Sequence, residues 1–455
     1  MLQPTSSTVA RRQGGSKITS VSPCLRGESF CSLAVLGVLA ILALSAPARA
    51  DTPGMFGFGA RSASLARSGV ASDDAGAAAR ENAALASTLG LRVRLGYGYG
   101  APSLTFDGRD AGVAHASGVD LAAQYGAQLG RGVEMGFALA LHLPDSYLAK
   151  VAFRPATEPQ FVLYEAPLQR TTFDLCVGLR YGPLAVGGGV SAGLSVGGSG
   201  TSFDLGQDAH GTHAAGSVDV ALPYRLAPVF GVRAALGRLG LGATFRGPMA
   251  LDLRLDNAAR IDLSGNPLNG TTSVKVSGTS GYDPAVITLG ARLGIGGGLS
   301  ALASLEYAVH SAAPSPTASV VIDVHLGTTP GLREVKFISP RFRDTLAPRL
   351  GLELRRPFAE AWRWAARLGY AMLPSPVPRQ SGLTTYADAS RHQLALGGGY
   401  HLGRAAGVDL AIDAAAQLHL LAARTEDKDS PALPYARFDV GGRILYGAVT
   451  LEAAW

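Results

Sequence analysis

The sequence predicts an all-β fold: a transmembrane antiparallel β-barrel of about 14 strands, with a short helical plug (hatch) from its own amino terminus in the lumen. Three observations predict it. From Gly90 to the carboxyl terminus, apolar residues recur with period two. The alternating segments run about a dozen residues, long for a globular sheet but right for a tilted strand crossing a bilayer. The connections are alternately very short and long, as in a barrel with turns on one side of the membrane and loops on the other.

Composition agrees. The chain has 455 residues, 47% hydrophobic and 16% charged, with 59 glycines. Few charges and many glycines fit strands and turns better than a helical enzyme. The formal net charge of +6 is concentrated at the amino terminus, where Arg11, Arg12, Lys17, Arg26 and Arg49 stand against Glu28. Setting residues 1–50 aside reduces 40 basic and 34 acidic residues to 35 and 33. The remainder is near neutral, and no nucleic-acid partner is expected.

Residues 1–50 read as a signal peptide. A basic region precedes the apolar run 31–46, and Ala48-Arg49-Ala50 supplies an A-x-A cleavage site. Cys24 and Cys31 leave with it, so Cys176 is the one remaining thiol and no internal disulfide can form.

Residues 51–89 form the expected plug. Gly54, Gly57 and Gly59 surround Phe56 and Phe58, and 72–87 (SDDAGAAARENAALAS) reads as one helix. Ser72 would cap it, Asp73 and Asp74 suit its positive first turn, and the alanines carry high helix propensity. It is too short and polar to span a membrane and too small to form a core alone.

The barrel is expected over 90–455. Val133, Met135, Phe137, Leu139 and Leu141 alternate with Glu134, Gly136, Ala138, Ala140 and His142, and comparable alternation recurs to the end of the chain. Each segment therefore has one apolar face and one small or polar face. Fourteen strands follow: 90–100, 116–129, 132–143, 169–181, 184–198, 213–236, 239–255, 282–293, 299–310, 346–356, 362–373, 390–402, 408–420 and 435–455. The sixth carries Pro223 and Pro228, which suit a bulge or an edge. Loop 311–345 reads as a hairpin turning around Thr329-Pro330-Gly331 above the membrane; inside the wall it would raise the count to sixteen. Tyr181, Trp362, Trp364, Tyr400 and Trp455 fall near the short-turn ends, where an aromatic girdle belongs. Trp455 ends the chain in register with Leu451 and Val449, and resembles the signal by which outer-membrane assembly machinery takes up a barrel.

Ser68-Gly69, Asp73-Asp74-Ala75-Gly76 and Asn82-Ala83-Ala84-Leu85 are similar to the plug segment of the FadL/TodX family of outer-membrane transporters for long-chain fatty acids and hydrocarbons. The carboxyl-terminal half adds Asp344-Thr345, Arg349 to Glu353, Leu368-Gly369-Tyr370, Ser375 to Pro378, Tyr386-Ala387-Asp388 and Arg391-His392. The resemblance implies a fourteen-stranded barrel in the outer membrane with an amino-terminal hatch. It also implies ligand capture among outer loops and lateral release through a gap in the wall. Asp73, Asp74, Gly76, Asn82, Ala83 and Ala84 become the expected gating residues. Two departures stand out: the family's Asn-Pro-Ala is Asn82-Ala83-Ala84 here, and the third strand offers only Gly136 as a kink.

Catalytic chemistry finds no constellation, and neither a cofactor nor a metal is expected. His210 and His213 sit in a glycine-rich loop with only Asp208 beside them. The runs 187–189 and 397–399 lie mid-strand with no following helix, so they suit close approach to the plug or curvature in the wall rather than a phosphate. Inward charges such as Asp174, Arg246, Glu353 and Arg367 either pair with one another or meet an acidic head group. The partners expected are the outer-membrane bilayer and a hydrophobic ligand. Loop residues Leu148, Val151, Phe153, Phe161, Val162 and Tyr164 would capture the ligand and pass it to a lumen site near Phe56 and Phe58. The alternatives are a general diffusion porin for small polar solutes and a structural or adhesive barrel.

Overall fold

Alternating strands need a partner on both edges, and in the computed structural model they find one by closing on themselves. The structure describes residues 52–145, 157–164, 170–194, 197–208, 211–222, 224–262, 270–315, 319–326, 329–335, 341–358 and 361–455. The expected signal peptide and the loop residues Leu148, Val151 and Phe153 lie outside them. The wall strands are β1 Gly90–Phe106, β2 Ala116–Gly130, β3 Val133–Pro144, β4 Thr172–Tyr181, β5 Leu184–Leu194, β6 Tyr224–Leu236 and β7 Leu239–Arg246. The circuit continues with β8 Ala285–Gly296, β9 Leu299–Val309, β10 Thr345–Phe358, β11 Ala361–Leu373, β12 Arg391–Ala405, β13 Val408–Asp427 and β14 Arg437–Ala454. Neighbours pair antiparallel, and β1 closes the cylinder by pairing with both β2 and β14. The wall thus has the fourteen strands expected.

Alternation sets the two faces. On β4, Leu175, Val177 and Leu179 are exposed outward while Asp174 and Cys176 are buried inward. An apolar outer belt of this kind is a surface that lipid covers and water does not. Tyr181, Trp364, Tyr400 and Trp455 are exposed near the short turns.

Two expected strands are each two elements. The segment 213–236 is Gly211–Ala221 followed by β6, and 239–255 breaks at Gly247-Pro248 between β7 and Met249–Asp262. The outer pieces leave the wall for a second, six-stranded sheet that also takes in Gly197–Asp208, Gly270–Asp283, Ser319–Leu326 and Thr329–Val335. Proline supplies no ladder donor, so the chain changes sheet there. The hairpin expected in 311–345 belongs to this second sheet. Leu326 and Thr329 oppose one another, and Pro330 lies in the returning strand opposite His325, so the hairpin does not turn around Thr329-Pro330-Gly331. That strand is the sheet's edge, where proline is tolerated.

The amino-terminal segment lies inside the cylinder, and here the expectation of one helix over 72–87 fails. Short helices Thr52–Phe56, Gly59–Ser64 and Ala78–Glu81 alternate with 3-10 turns at Gly69–Ala71, Ala75–Ala77 and Ala83–Ser87. Ser72 caps no helix start: it closes the 3-10 turn Gly69–Ala71, and its hydroxyl accepts from the Asp74 N–H at 3.2 Å. The reason is tertiary: Asp73 and Asp74 turn toward wall and segment arginines, and those ion pairs outweigh alanine's propensity. Inward glycines of the wall make room for the backbone. A Cβ at Gly178 would stand 2.8 Å from Ser87 N and 3.0 Å from Ala83 O, and one at Gly369 would stand 2.5 Å from Ala66 N. Gly187 meets Ala83, and Gly397 meets Ser64, so the glycine runs do admit the segment.

Candidate functional site

Three arginines of the amino-terminal segment each share a wall carboxylate with a wall arginine. Glu353 on β10 is held by Arg61 at 2.9 Å and by Arg367 on β11 at 2.8 Å. Glu306 on β9 is held by Arg67 at 3.1 Å and by Arg349 on β10 at 2.9 Å. Asp174 on β4 is held by Arg80 at 2.9 Å and by Arg246 on β7 at 2.5 Å. The segment's own acids reciprocate: Asp74 pairs with Arg94 on β1 at 2.5 Å, and Asp73 with Arg61 and Arg355. The expectation that inward charges pair with one another therefore holds at Asp174, Arg246, Glu353 and Arg367.

Asn82 fixes the turn that lacks a proline. Its amide donates to Val70 O at 2.9 Å and Val232 O at 3.1 Å, while its side-chain oxygen caps Ala84 N. Ala83 and Ala84 lie against Gly187 and Gly231, and Gly76 leaves room for Arg94 and Glu452.

Above the segment is a cavity of about 270 Å³. Phe58, Met55, Val286 and Leu373 give it apolar surface, and its charged lining is mixed: Arg67, Arg80, Arg246, Arg349 and Arg391 stand with Glu81, Asp283, Glu306 and Asp388. The Nε groups of Arg349 and Arg391 are buried without a hydrogen-bond partner among the described residues. Arg391 donates to the Tyr164 hydroxyl at 2.6 Å and lies over that ring, 5.4 Å from its centroid. Tyr164 in turn donates to Asp388 at 2.9 Å, which fastens residues 157–164 over the cavity's rim. Burial pushes the His310 imidazole down to about 4 against the pull of Glu306 and Asp344, so this cavity residue is neutral at pH 7.

Of the residues expected to bind ligand, Phe58 lines the cavity. Phe56 stacks on Tyr446 at 4.2 Å and meets His419 edge-on, away from it. Phe161 and Tyr164 are fully buried, and Val162 packs on Val377 and Tyr386. These three join the neighbouring loop rather than present an open face. Sequence reasoning missed Arg61, Arg67, Arg80 and Glu306, and noted Arg349 and Arg391 only as part of the family resemblance, with no role. For Glu306 and Arg349 the signal was inward register on their strands; for the segment arginines there was none. Among the described residues, no group of three His, Cys, Asp or Glu could hold a metal ion.

No protein-family model and no curated protein matches the chain. Solved structures share its fold. A Pseudomonas aeruginosa FadL homologue is 14% identical with a TM-score of 0.53, covering 90% of this chain and 99% of its own. The CymD monoaromatic hydrocarbon channel is 12% identical with a TM-score of 0.53, covering 88% and 98%. The Ralstonia pickettii toluene transporter TbuX is 14% identical with a TM-score of 0.51, covering 88% and 99%.

Proposed function

We propose, for a barrel that shares its fold with FadL- and TodX-type channels, passive uptake of hydrophobic compounds across the outer membrane, with an acidic amphiphile such as a long-chain fatty acid as the preferred cargo. One observation carries this reading: a cavity with apolar surface and two arginines, Arg349 and Arg391, whose buried Nε groups have no hydrogen-bond partner among the described residues. A carboxylate is the chemistry that satisfies such groups, and charge-assisted hydrogen bonds are the strong ones. The tail contributes about 0.8 kcal/mol per buried methylene, so some ten carbons supply roughly 8 kcal/mol before ordering costs.

The route follows from what blocks it. The rim loop releases ligand into the cavity, and the amino-terminal segment acts as the hatch. Its displacement lets cargo move downhill without nucleotide hydrolysis. A porin for polar solutes needs an open lumen, and residues 52–88 fill this one.

Uptake of labelled oleate in a strain lacking its own fatty-acid channel is the test. The protein is expected to raise uptake severalfold over empty vector while staying nearly silent in planar bilayers. Equal uptake with and without it ends the fatty-acid reading, and large steady currents favour the porin.

A further inference from the structure

The inner wall carries a second set of arginines, at the short-turn end of the lumen. Every second residue of a strand keeps one face, so residues in step with the inward Gly178, Gly231, Gly290 and Glu353 also point inward. One step nearer the short turns these are Arg180 on β4, Arg233 on β6, Arg292 on β8 and Arg355 on β10. Register joins them into one arc. Arg180 opposes Ala185 on β5, and Ala185 opposes Arg233. Across β7, Arg233 opposes Gly242, and Gly240 opposes Arg292. Ala185 and Gly240 carry no bulk to separate the arginines.

The acids beside this arc are engaged elsewhere. Glu134 pairs with Arg180 at 3.1 Å. Asp73 of the amino-terminal segment is held by Arg61 at 2.6 Å and by Arg355 at 3.0 Å, and meets Arg292 only at 3.8 Å. Arg233 lies within electrostatic reach of Asp73, Arg180 and Arg292, yet has no ion pair or hydrogen bond among the described residues. The Nε groups of Arg233, Arg292 and Arg355 are all buried there without a hydrogen-bond partner. A guanidinium stays charged in a protein, so the middle of the arc holds unbalanced positive charge.

We propose that Arg233 and Arg292 form an oxyanion site at the short-turn mouth of the lumen, and that its occupant is the carboxylate of the cargo. Guanidinium donors match a carboxylate's two oxygens, and the molecule already shows the fit: a carboxylate of its own, Asp73, occupies the β10 end of the same arc. The site is separate from the cavity, which neither Arg233 nor Arg292 lines. Along β10, Arg355 lies six residues beyond cavity residue Arg349, about 20 Å at strand rise. The amino-terminal segment stands between, with Val70 against Gly242 and Gly290 and Arg61 on Glu353. Unmatched arginine donors thus lie on both sides of it. The identity of the occupant rests on the uptake reading, whereas the site does not.

Bimane on Arg238→Cys, in the turn between β6 and β7, reports the site in a Cys176→Ala background. The full chain in detergent is titrated with 4-carboxy-TEMPO, a water-soluble carboxylate that quenches bimane, and with the neutral TEMPOL. The carboxylate is expected to quench at a roughly fivefold lower concentration than TEMPOL. Arg233→Gln with Arg292→Gln is expected to bring the two within about twofold, in a barrel that still shifts on gels when heated. Arg233→Gln alone, which removes a side chain with no partner, is expected to lose about half of the preference. Equal quenching by both probes before these changes overturns the site, and so does a preference that either variant leaves intact. Octanoate and inorganic phosphate then compete with the quencher. Relief by octanoate at the lower concentration supports the cargo as occupant; relief by phosphate alone overturns it in favour of a free oxyanion. Oleate uptake is measured on the same barrel. Selective quenching without uptake ends the uptake reading and keeps the site, whereas uptake with equal quenching ends the site alone.

Discussion

Arg61 and Glu353 face one another at two points, Nε to Oε1 at 2.9 Å and Nη2 to Oε2 at 3.0 Å. Arg367 takes the same carboxylate from the wall side at 2.8 Å. Glu306 and Asp174 repeat the pattern with Arg67 and Arg80. Sharing has a consequence for movement. If the segment withdraws, each wall carboxylate keeps at least one wall arginine, Glu353 keeping both Arg367 and Arg355, so no bare charge is left buried. On the hatch reading proposed above, such shared pairs would act as a latch that holds the segment and can still release it.

Glu353→Gln removes the shared acid and leaves Arg61 and Arg367 facing a neutral amide. Breaking a buried pair by removing one partner costs about 3–5 kcal/mol. Frequent opening events in planar bilayers are expected from a barrel that still shifts on gels when heated. Silence equal to wild type would show that the hatch is held by packing alone.

Acid should loosen the latch only at an extreme. Burial by itself pushes the Asp74 carboxyl up, but Arg94 and Arg61 outweigh it and hold the group below its ordinary range. A carboxylate lowered in the folded state contributes in full above its unfolded value of about 3.9, and loses that contribution as pH falls through the folded value. Conductance is therefore expected to stay flat from about pH 8 to 5 and to rise only below about pH 4. A rise between pH 7 and 5 would assign the gate to a histidine instead.

Gly178→Val and Gly187→Val place a side chain where Ser87 and Ala83 already stand. The clash is with backbone, which cannot swing aside, so the segment must shift. Limited proteolysis should cut within residues 52–88 in these variants while leaving the wall intact. Protection equal to wild type would place the segment elsewhere.

Arg391→Ala and Arg349→Ala separate head group from tail. Hydrogen bonds to charged groups contribute about 1.5–3 kcal/mol, so oleate affinity should fall roughly 10- to 100-fold. A neutral hydrocarbon of similar length should bind within about twofold of wild type, since its apolar contacts are untouched. Parallel losses for both ligands, measured by calorimetry in detergent, would mean that the arginines shape the cavity rather than recognise an acid.

Period two was enough to count the fourteen wall strands and to tell inside from outside, because the alternation of a strand's side chains is a local property of its backbone; it could not show that 213–236 and 239–255 each pass out of the wall into a second sheet. Asp73, Asp74, Asn82 and the inward glycines were legible as a segment held inside the wall and the room made for it, since each has a distinctive residue type. What the sequence could not reveal was which charges meet. Arg61 and Glu353 are 292 positions apart, and only closure of the cylinder brings them together. The same holds for the failed helix at 72–87: propensity acts within a turn, whereas the ion pairs that broke it come from β1 and β10. The break at Gly247-Pro248 was visible as a proline but not as a change of sheet, because that needs two sheets and the register within each.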